Sequence, residues 1–207
     1  MFYRIGNLVI RSVFSIRKPR RGEDCLILKS RSFPPAHPST KAALTILNRL
    51  EIFREARILD IGCGSGILGL AAALKNDTIV LGCDICAVAI KASMQNAALN
   101  RMQDRFHVFR GSVDAVSGSF NVILANLHAV THMKMFDHYR RLLPLTGALL
   151  VISGFHDVQA SYMEKELSQR GFGLIERVEV HSWAAALTEE SSYTWVGFGF
   201  IRIPDNP

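Results

Sequence analysis

The chain has 207 residues, 49% of them apolar, enough to bury a substantial core, and no stretch approaches the roughly twenty consecutive apolar residues that a membrane helix requires. Its formal charge of +6 is unevenly placed: residues 1–41 hold nine Lys or Arg against two acids, and residues 42–207 hold fifteen against sixteen. These figures predict a soluble, compact, cytoplasmic single domain with a basic amino-terminal arm, and exclude a helical membrane span.

In chain order, strands are predicted at about 3–14 and 24–29, so that residues 1–37 form a short basic β-hairpin extension before a main domain over 38–207. Between the strands, Arg17-Lys18-Pro19-Arg20-Arg21 could dock an acidic protein surface or an RNA backbone, or simply form a solvated hairpin turn. Residues 1–22 contain arginines and no acid, a pattern that a mitochondrial presequence also shows. A helix is expected from Pro38 to about Phe53, with its proline near the first turn.

Residues 57–66, Arg-Ile-Leu-Asp-Ile-Gly-Cys-Gly-Ser-Gly, carry most of the functional information. A short apolar strand runs into Gly62, Gly64 and Gly66, which permit a turn that side chains would block and let backbone groups approach a ligand just before a helix starting near Ile67. Gly64-x-Gly66-x-x-Gly69 also has the spacing of a dinucleotide fingerprint, but its frame is wrong: the strand ends at Ile61 and the turn begins at Gly62. Asp60 would repel a pyrophosphate and attract a cation. A positively charged nucleoside, S-adenosylmethionine, fits this arrangement.

Downstream, Thr78 to Cys83 reads as a buried strand with Asp84 at its carboxyl end, where a carboxylate can accept from two ribose hydroxyls. Residues 87–100 read as a helix with Ile90, Met94 and Ala97 on one face and Lys91, Gln95 and Asn96 on the other. Strands follow at 106–109, 120–125 and 147–153, then a helix from His156 to Arg170 and a closing antiparallel pair at 173–181 and 193–202. The order predicts an α/β fold with a doubly wound, mostly parallel sheet and a carboxyl-terminal antiparallel hairpin. Asn126, at the end of the fourth main strand, would stand beside a transferable methyl group.

These residues resemble the class I (Rossmann-like, seven-stranded) methyltransferases, and within them the enzymes that methylate large-subunit ribosomal protein eleven. Arg4 to Arg11 looks like the family's strand after its interdomain linker, Phe33-Pro34-Pro35-Ala36-His37-Pro38-Ser39-Thr40 like its Phe-Gly-Thr-Gly-x-His-Pro-Thr-Thr loop, and Asp60 to Gly66, Asp84 and Ala125-Asn126-Leu127 like its core motifs. The resemblance argues against the presequence reading. It implies S-adenosylmethionine as cofactor, with no metal, and a cofactor site drawn from Thr40, Asp60, Gly62, Cys63, Gly64, Ser65, Gly66, Asp84, Ile85, Ser112 and Asn126. Ser112 stands where many relatives carry an acid for the adenine amine, a role Asp114 could take. Two departures stand out: Pro34-Pro35-Ala36 replaces the flexible Gly-Thr-Gly, and the amino-terminal domain that grips the ribosomal protein is expected to be absent.

The expected chemistry is direct displacement of the sulfonium methyl by an amine, on a ribosomal protein or another protein lysine, with Asn126 orienting the acceptor and His128 taking the proton. The alternatives are the same transfer to a small molecule or nucleic-acid base, and a non-catalytic cofactor-binding subunit. His37 either fixes its loop, lines the acceptor channel or is structural; His132, His138, His156 and His181 carry no signal. Trp183 and Trp195 read as packing on a terminal hairpin or as facing substrate. Cys83-x-x-Cys86 has metal-like spacing without a second pair, so the four cysteines read as thiols in a reducing compartment.

Overall fold

The computed structural model describes residues 1–29, 34–76, 78–182 and 194–204. Its amino-terminal segment is a three-stranded sheet: β1 (Phe2–Ile5) and β2 (Leu8–Ser12) form an antiparallel hairpin, and β3 (Asp24–Leu28) lies parallel to β2. The single strand expected over 3–14 is thus two, because Gly6 adopts a left-handed conformation and reverses the chain. The second expected strand then returns parallel to β2, not as the other half of a hairpin.

The main sheet has seven strands in the order β6-β5-β4-β7-β8-β10-β9, parallel except at β10, which is antiparallel to both neighbours. The strands are β4 (Ile58–Ile61), β5 (Val80–Asp84), β6 (Phe106–Arg110), β7 (Val122–Asn126), β8 (Leu149–His156), β9 (Phe172–His181) and β10 (Thr194–Arg202). Helices α1 (Pro38–Arg49), α2 (Ile67–Asn76), α3 (Ala87–Leu99), α4 (Ala129–Leu142) and α5 (Asp157–Ser168) cover its two faces. This is the doubly wound α/β sheet with a carboxyl-terminal antiparallel pair that the sequence predicts.

Alternation along the central strands builds two cores. Ile58, Val122 and Leu124 pack with Leu44, Leu47, Leu70 and Ala71 of α1 and α2, whereas Leu59, Ile61, Ile123 and Ala125 pack with Phe136, Tyr139 and Met163 of α4 and α5. Ile10, Leu26 and Leu28 of the small sheet join the first core.

Two helices depart from the sequence reading for identifiable reasons. Helix α1 stops at Arg49, short of Phe53, because Lys75 Nζ donates to the carbonyls of Leu47 (2.8 Å), Asn48 (2.9 Å) and Leu50 (2.6 Å), closing its last turn. Helix α3 is rotated: Asn96 is fully buried and Met94 is 58% exposed. Asn96 is drawn inward by two backbone partners, accepting from Lys29 N–H (2.8 Å) and donating to Ser65 O (2.8 Å). Asn100 adds a reciprocal pair with Ile27, 2.8 Å and 2.7 Å, so α3 closes the outer edge of β3 and ties the small sheet to the turn after β4.

Replacing Asn96 by Leu would leave Lys29 N–H and Ser65 O without that partner. The expected cost is about 1–3 kcal/mol for each group left unmade, read as a lower urea midpoint with an unchanged slope.

Candidate active site

The carboxyl ends of β4, β5, β7 and β8 open into a cavity of about 380 Å³ whose lining includes Asp60, Gly62, Cys63, Gly64, Ser65, Asp84 and Cys86 together with Pro35, His37, Thr40, Asn126, Leu127, His128, Gly154 and Trp195. After β4 the chain passes through Gly62, Gly64 and Gly66 at φ of +67°, +57° and +79°. These left-handed steps tuck the turn against β5, where Gly62 and Cys63 N–H both reach Cys83 O (2.8 and 3.0 Å). A side chain at Gly62 would also strike Leu127, its Cβ lying 2.4 Å from the Leu127 Cδ2.

Asp84 secures the same turn from the next strand. One carboxylate oxygen accepts from Gly64 N–H (3.0 Å) and the other from Cys86 N–H (2.9 Å), which leaves each oxygen a further lone pair for hydroxyl donors. Asp60 is buried and accepts from Gly69 N–H in the first turn of α2 (2.9 Å). Burial pushes its carboxyl up to about 7; the Gly69 hydrogen bond opposes this and the charge of Asp84 adds to it. The carboxyl end of the cavity therefore favours a cation, which would let Asp60 ionise.

Asn126 ends β7, the strand next to β4, and brings together two of the predicted residues. Its Nδ2 donates to Thr40 Oγ1 of α1 (3.1 Å), and its Oδ1 accepts from Ser153 Oγ of β8 (3.1 Å). The first turn of α1 is set by Pro38 and by His37, whose Nδ1 accepts from Ser39 N–H (3.3 Å). Burial, then the proximity of His156 and His128, holds the His37 imidazole below its ordinary pKa. Tyr3 of the small sheet donates to Pro35 O (2.6 Å), holding the loop that leads to His37.

His128 precedes α4 and lines the cavity, but its side chain makes no cap hydrogen bond. Gly66, Ile85 and Ser112 are not among the lining residues: Gly66 backs onto Phe106 and Ser93, Ile85 follows Asp84 as an exposed side chain, and Ser112 Oγ donates to Asp114 Oδ2 (2.7 Å) beyond β6. Cys86, read from sequence only as half of a metal-like pair, lines the cavity beside Asp84, while its partner Cys83 is buried behind it. Among the described residues no group of three or more metal-ligating side chains occurs.

Local sequence reasoning leaves Trp195 between packing and facing substrate, and misses its partner His156. They are Cα partners across β10 and β8, with rings 4.0 Å apart, and the opposite side of Trp195 meets His37 at 4.4 Å in an edge-on contact. The tryptophan is thus wall as well as packing. Trp183 lies outside the described residues.

Comparison with known proteins identifies the family and the fold. Residues 35–191 match the family model described as ribosomal protein L11 methyltransferase, PrmA. The ribosomal protein L11 methyltransferase of Helicobacter pylori strain HPAG1 is 30% identical over 153 residues, covering 72% of this chain and 44% of that protein; that of Thermotoga petrophila is 25% identical over 156 residues, covering 75% and 58%. The chain thus spans about half the length of these relatives. In structure, the ribosomal protein L11 methylase of Lactobacillus delbrueckii subsp. bulgaricus superposes with a TM-score of 0.83 over 98% of this chain and 99% of that one, at 22% identity. With its family model covering most of the sequence and its fold shared from end to end, the chain belongs to the ribosomal protein L11 methyltransferase family.

Proposed function

We propose that the chain is an S-adenosylmethionine-dependent methyltransferase acting on an amine of a protein, with a ribosomal protein as the first candidate acceptor. The observation that carries this reading is Asn126, fixed between Thr40 and Ser153 in the same cavity as the carboxylates of Asp60 and Asp84. The cofactor, when bound, supplies an electrophilic sulfonium methyl. Asp84 would accept from its ribose hydroxyls, the turn at Gly62 to Gly66 would admit its backbone-facing edge, and Asp60 would face its cationic amino-acid portion. Asn126 would orient the acceptor amine toward the methyl, a positioning effect that can lower a barrier by roughly 7–11 kcal/mol in the best cases. His128, on the same wall, would receive the proton that the amine gives up.

Calorimetry with S-adenosylmethionine tests the cofactor half of this reading. Asp84→Ala is expected to weaken binding by about 1.5–3 kcal/mol through loss of charge-assisted contacts. The parent's affinity should also rise with pH and level off near 7: below that pH Asp60 carries a proton in the free protein, and a cation beside it displaces that proton on binding. Equal affinity in Asp84→Ala, or a preference for a nicotinamide cofactor, would overturn the assignment.

Labelled cofactor incubated with a lysate tests the acceptor half, by locating the label in protein, nucleic acid or small molecules. With the acceptor in hand, Asn126→Ala should cut the single-turnover rate by about a hundredfold while changing cofactor affinity by less than about threefold, because its contact is realised mainly in the transition state. Full turnover in that variant would place the acceptor elsewhere. Tight cofactor binding without any labelled acceptor would favour a non-catalytic subunit.

The partner is proposed to dock on the basic arm. Arg17, Lys18, Arg20 and Arg21 are exposed there, beside Phe14 and Ile16 at 87% and 94% exposure. Neighbouring apolar and cationic groups suit an acidic protein surface better than a phosphate backbone, to which Ile16 offers nothing. Neutralising Lys18, Arg20 and Arg21 together should lower affinity for the labelled protein acceptor by about tenfold at low salt and leave cofactor affinity intact. Unchanged affinity would make the arm a solvated turn.

A further inference from the structure

A buried polar chain lies behind Asn126 and takes no part in the chemistry proposed above. His132, in the first turns of α4, is fully buried, and its Nε2 stands 2.9 Å from Ser153 O. A carbonyl oxygen can only accept, so Nε2 carries the proton, and the neutral ring therefore accepts at Nδ1. The hydroxyl of buried Tyr139 lies 2.8 Å from that nitrogen and must be its donor. Burial drives the His132 pKa down to about 4, which keeps the ring neutral and this hydrogen-bond direction fixed at physiological pH.

The same Ser153 carbonyl accepts from Leu127 N–H (2.9 Å), and the Ser153 hydroxyl donates to Asn126 Oδ1. Ser153 is also the Cα partner of Asn126 in the β7–β8 ladder. Close approach here needs Gly154: at its φ of +102° an added Cβ would fall 2.2 Å from Leu127 O and 2.9 Å from Asn126 Oδ1. His132 thus clamps the first turns of α4 to the end of β8 at the residue that holds the Asn126 side chain.

We infer that His132, locked by Tyr139, is a positioning residue that acts through Ser153 to hold Asn126 in the orientation needed for methyl transfer. The inference rests on the proposed role of Asn126, but its physical content, an immobilised Asn126 side chain, can be measured without turnover. His132→Leu removes the donor to Ser153 O. His132→Gln retains one, since a glutamine amide nitrogen reaches approximately where Nε2 stands. Tyr139→Phe keeps the packing and releases the tautomer.

The test compares these variants with the parent in two ways. One is nuclear magnetic resonance of the Asn126 side-chain amide, for its hydrogen exchange, and of the His132 ring nitrogens, for the tautomer. The other is single-turnover transfer of labelled methyl to ribosomal protein L11, alongside S-adenosylmethionine affinity. The parent should show the Nε2–H tautomer and a protected Asn126 amide. In His132→Leu, exchange should quicken and transfer should fall by about tenfold or more, with cofactor affinity within about threefold; His132→Gln should recover most of both. Tyr139→Phe should show mixed tautomers and an intermediate rate, and it decides the question if His132→Leu does not fold. The inference is overturned if Asn126 exchange is unchanged in both His132→Leu and Tyr139→Phe, if Gln and Leu are equally damaging, or if cofactor affinity falls in step with rate, as general destabilisation would require. Should the parent transfer no methyl to L11, the acceptor assignment fails, while the Asn126 exchange comparison still decides the inference.

Discussion

Three left-handed backbone steps at Gly62, Gly64 and Gly66 determine where every other group of the cavity can stand. They allow two consecutive N–H groups to share the Cys83 carbonyl and bring Gly64 N–H onto Asp84, so the end of β5 and the turn after β4 hold each other. The tightness of this turn also admits Leu127, which could not pack there beside a side chain at Gly62. Leu127 in turn is fixed by Ser153 O. The glycine turn and the Asn126 strand end are therefore joined through Leu127, and a distortion at one glycine would reach Asn126.

A second set of contacts ties peripheral elements to this centre. Asn96 binds Ser65 O and Lys29 N–H, so α3 links the glycine turn to the small amino-terminal sheet. That sheet reaches the opposite wall through Tyr3 and Pro35. Burial raises the Tyr3 hydroxyl far above its ordinary pKa, so the group stays a donor to the Pro35 carbonyl. Pro34 and Pro35 stiffen a segment that glycines would leave loose, consistent with a loop held by one short hydrogen bond and by the His37 cap of α1. The basic arm thus belongs to an element that contacts both walls of the site.

The glycine turn, Asp84 and Asn126 are legible in the sequence because each depends on local chain geometry: a strand end, a turn that excludes side chains, and a polar residue at a carboxyl terminus. The doubly wound order follows from alternating apolar runs and helical periods. Trp195 is legible only as an alternative between packing and wall, and its pairing with His156 not at all, because that contact depends on an antiparallel register between strands almost forty residues apart, to which no local pattern points. The rotation of α3 escapes periodicity for a related reason: Asn96 is buried by bonds to backbone atoms 67 and 31 residues away, and a polar residue so satisfied counts as core. The break at Gly6 is the reverse case, since one glycine within an apolar run was available as a turn signal and the run of β-type residues around it masked it.

The charge distribution around the cavity follows from these placements. Asp60, Asp84, His37 and His128 all line the cavity, and the His37 and His156 rings both contact Trp195. Burial holds down the His37 pKa, and the neighbouring imidazoles lower it further, so a proton on one ring opposes a proton on the next. The carboxylates therefore favour a cationic group beside them, whereas the lowered His37 pKa favours an uncharged ring in the stretch of wall that His37 forms. Two regions of one cavity thus differ in the charge they favour, a carboxylate pair that suits a cation and an uncharged imidazole at His37, before any contact specific to a ligand is made.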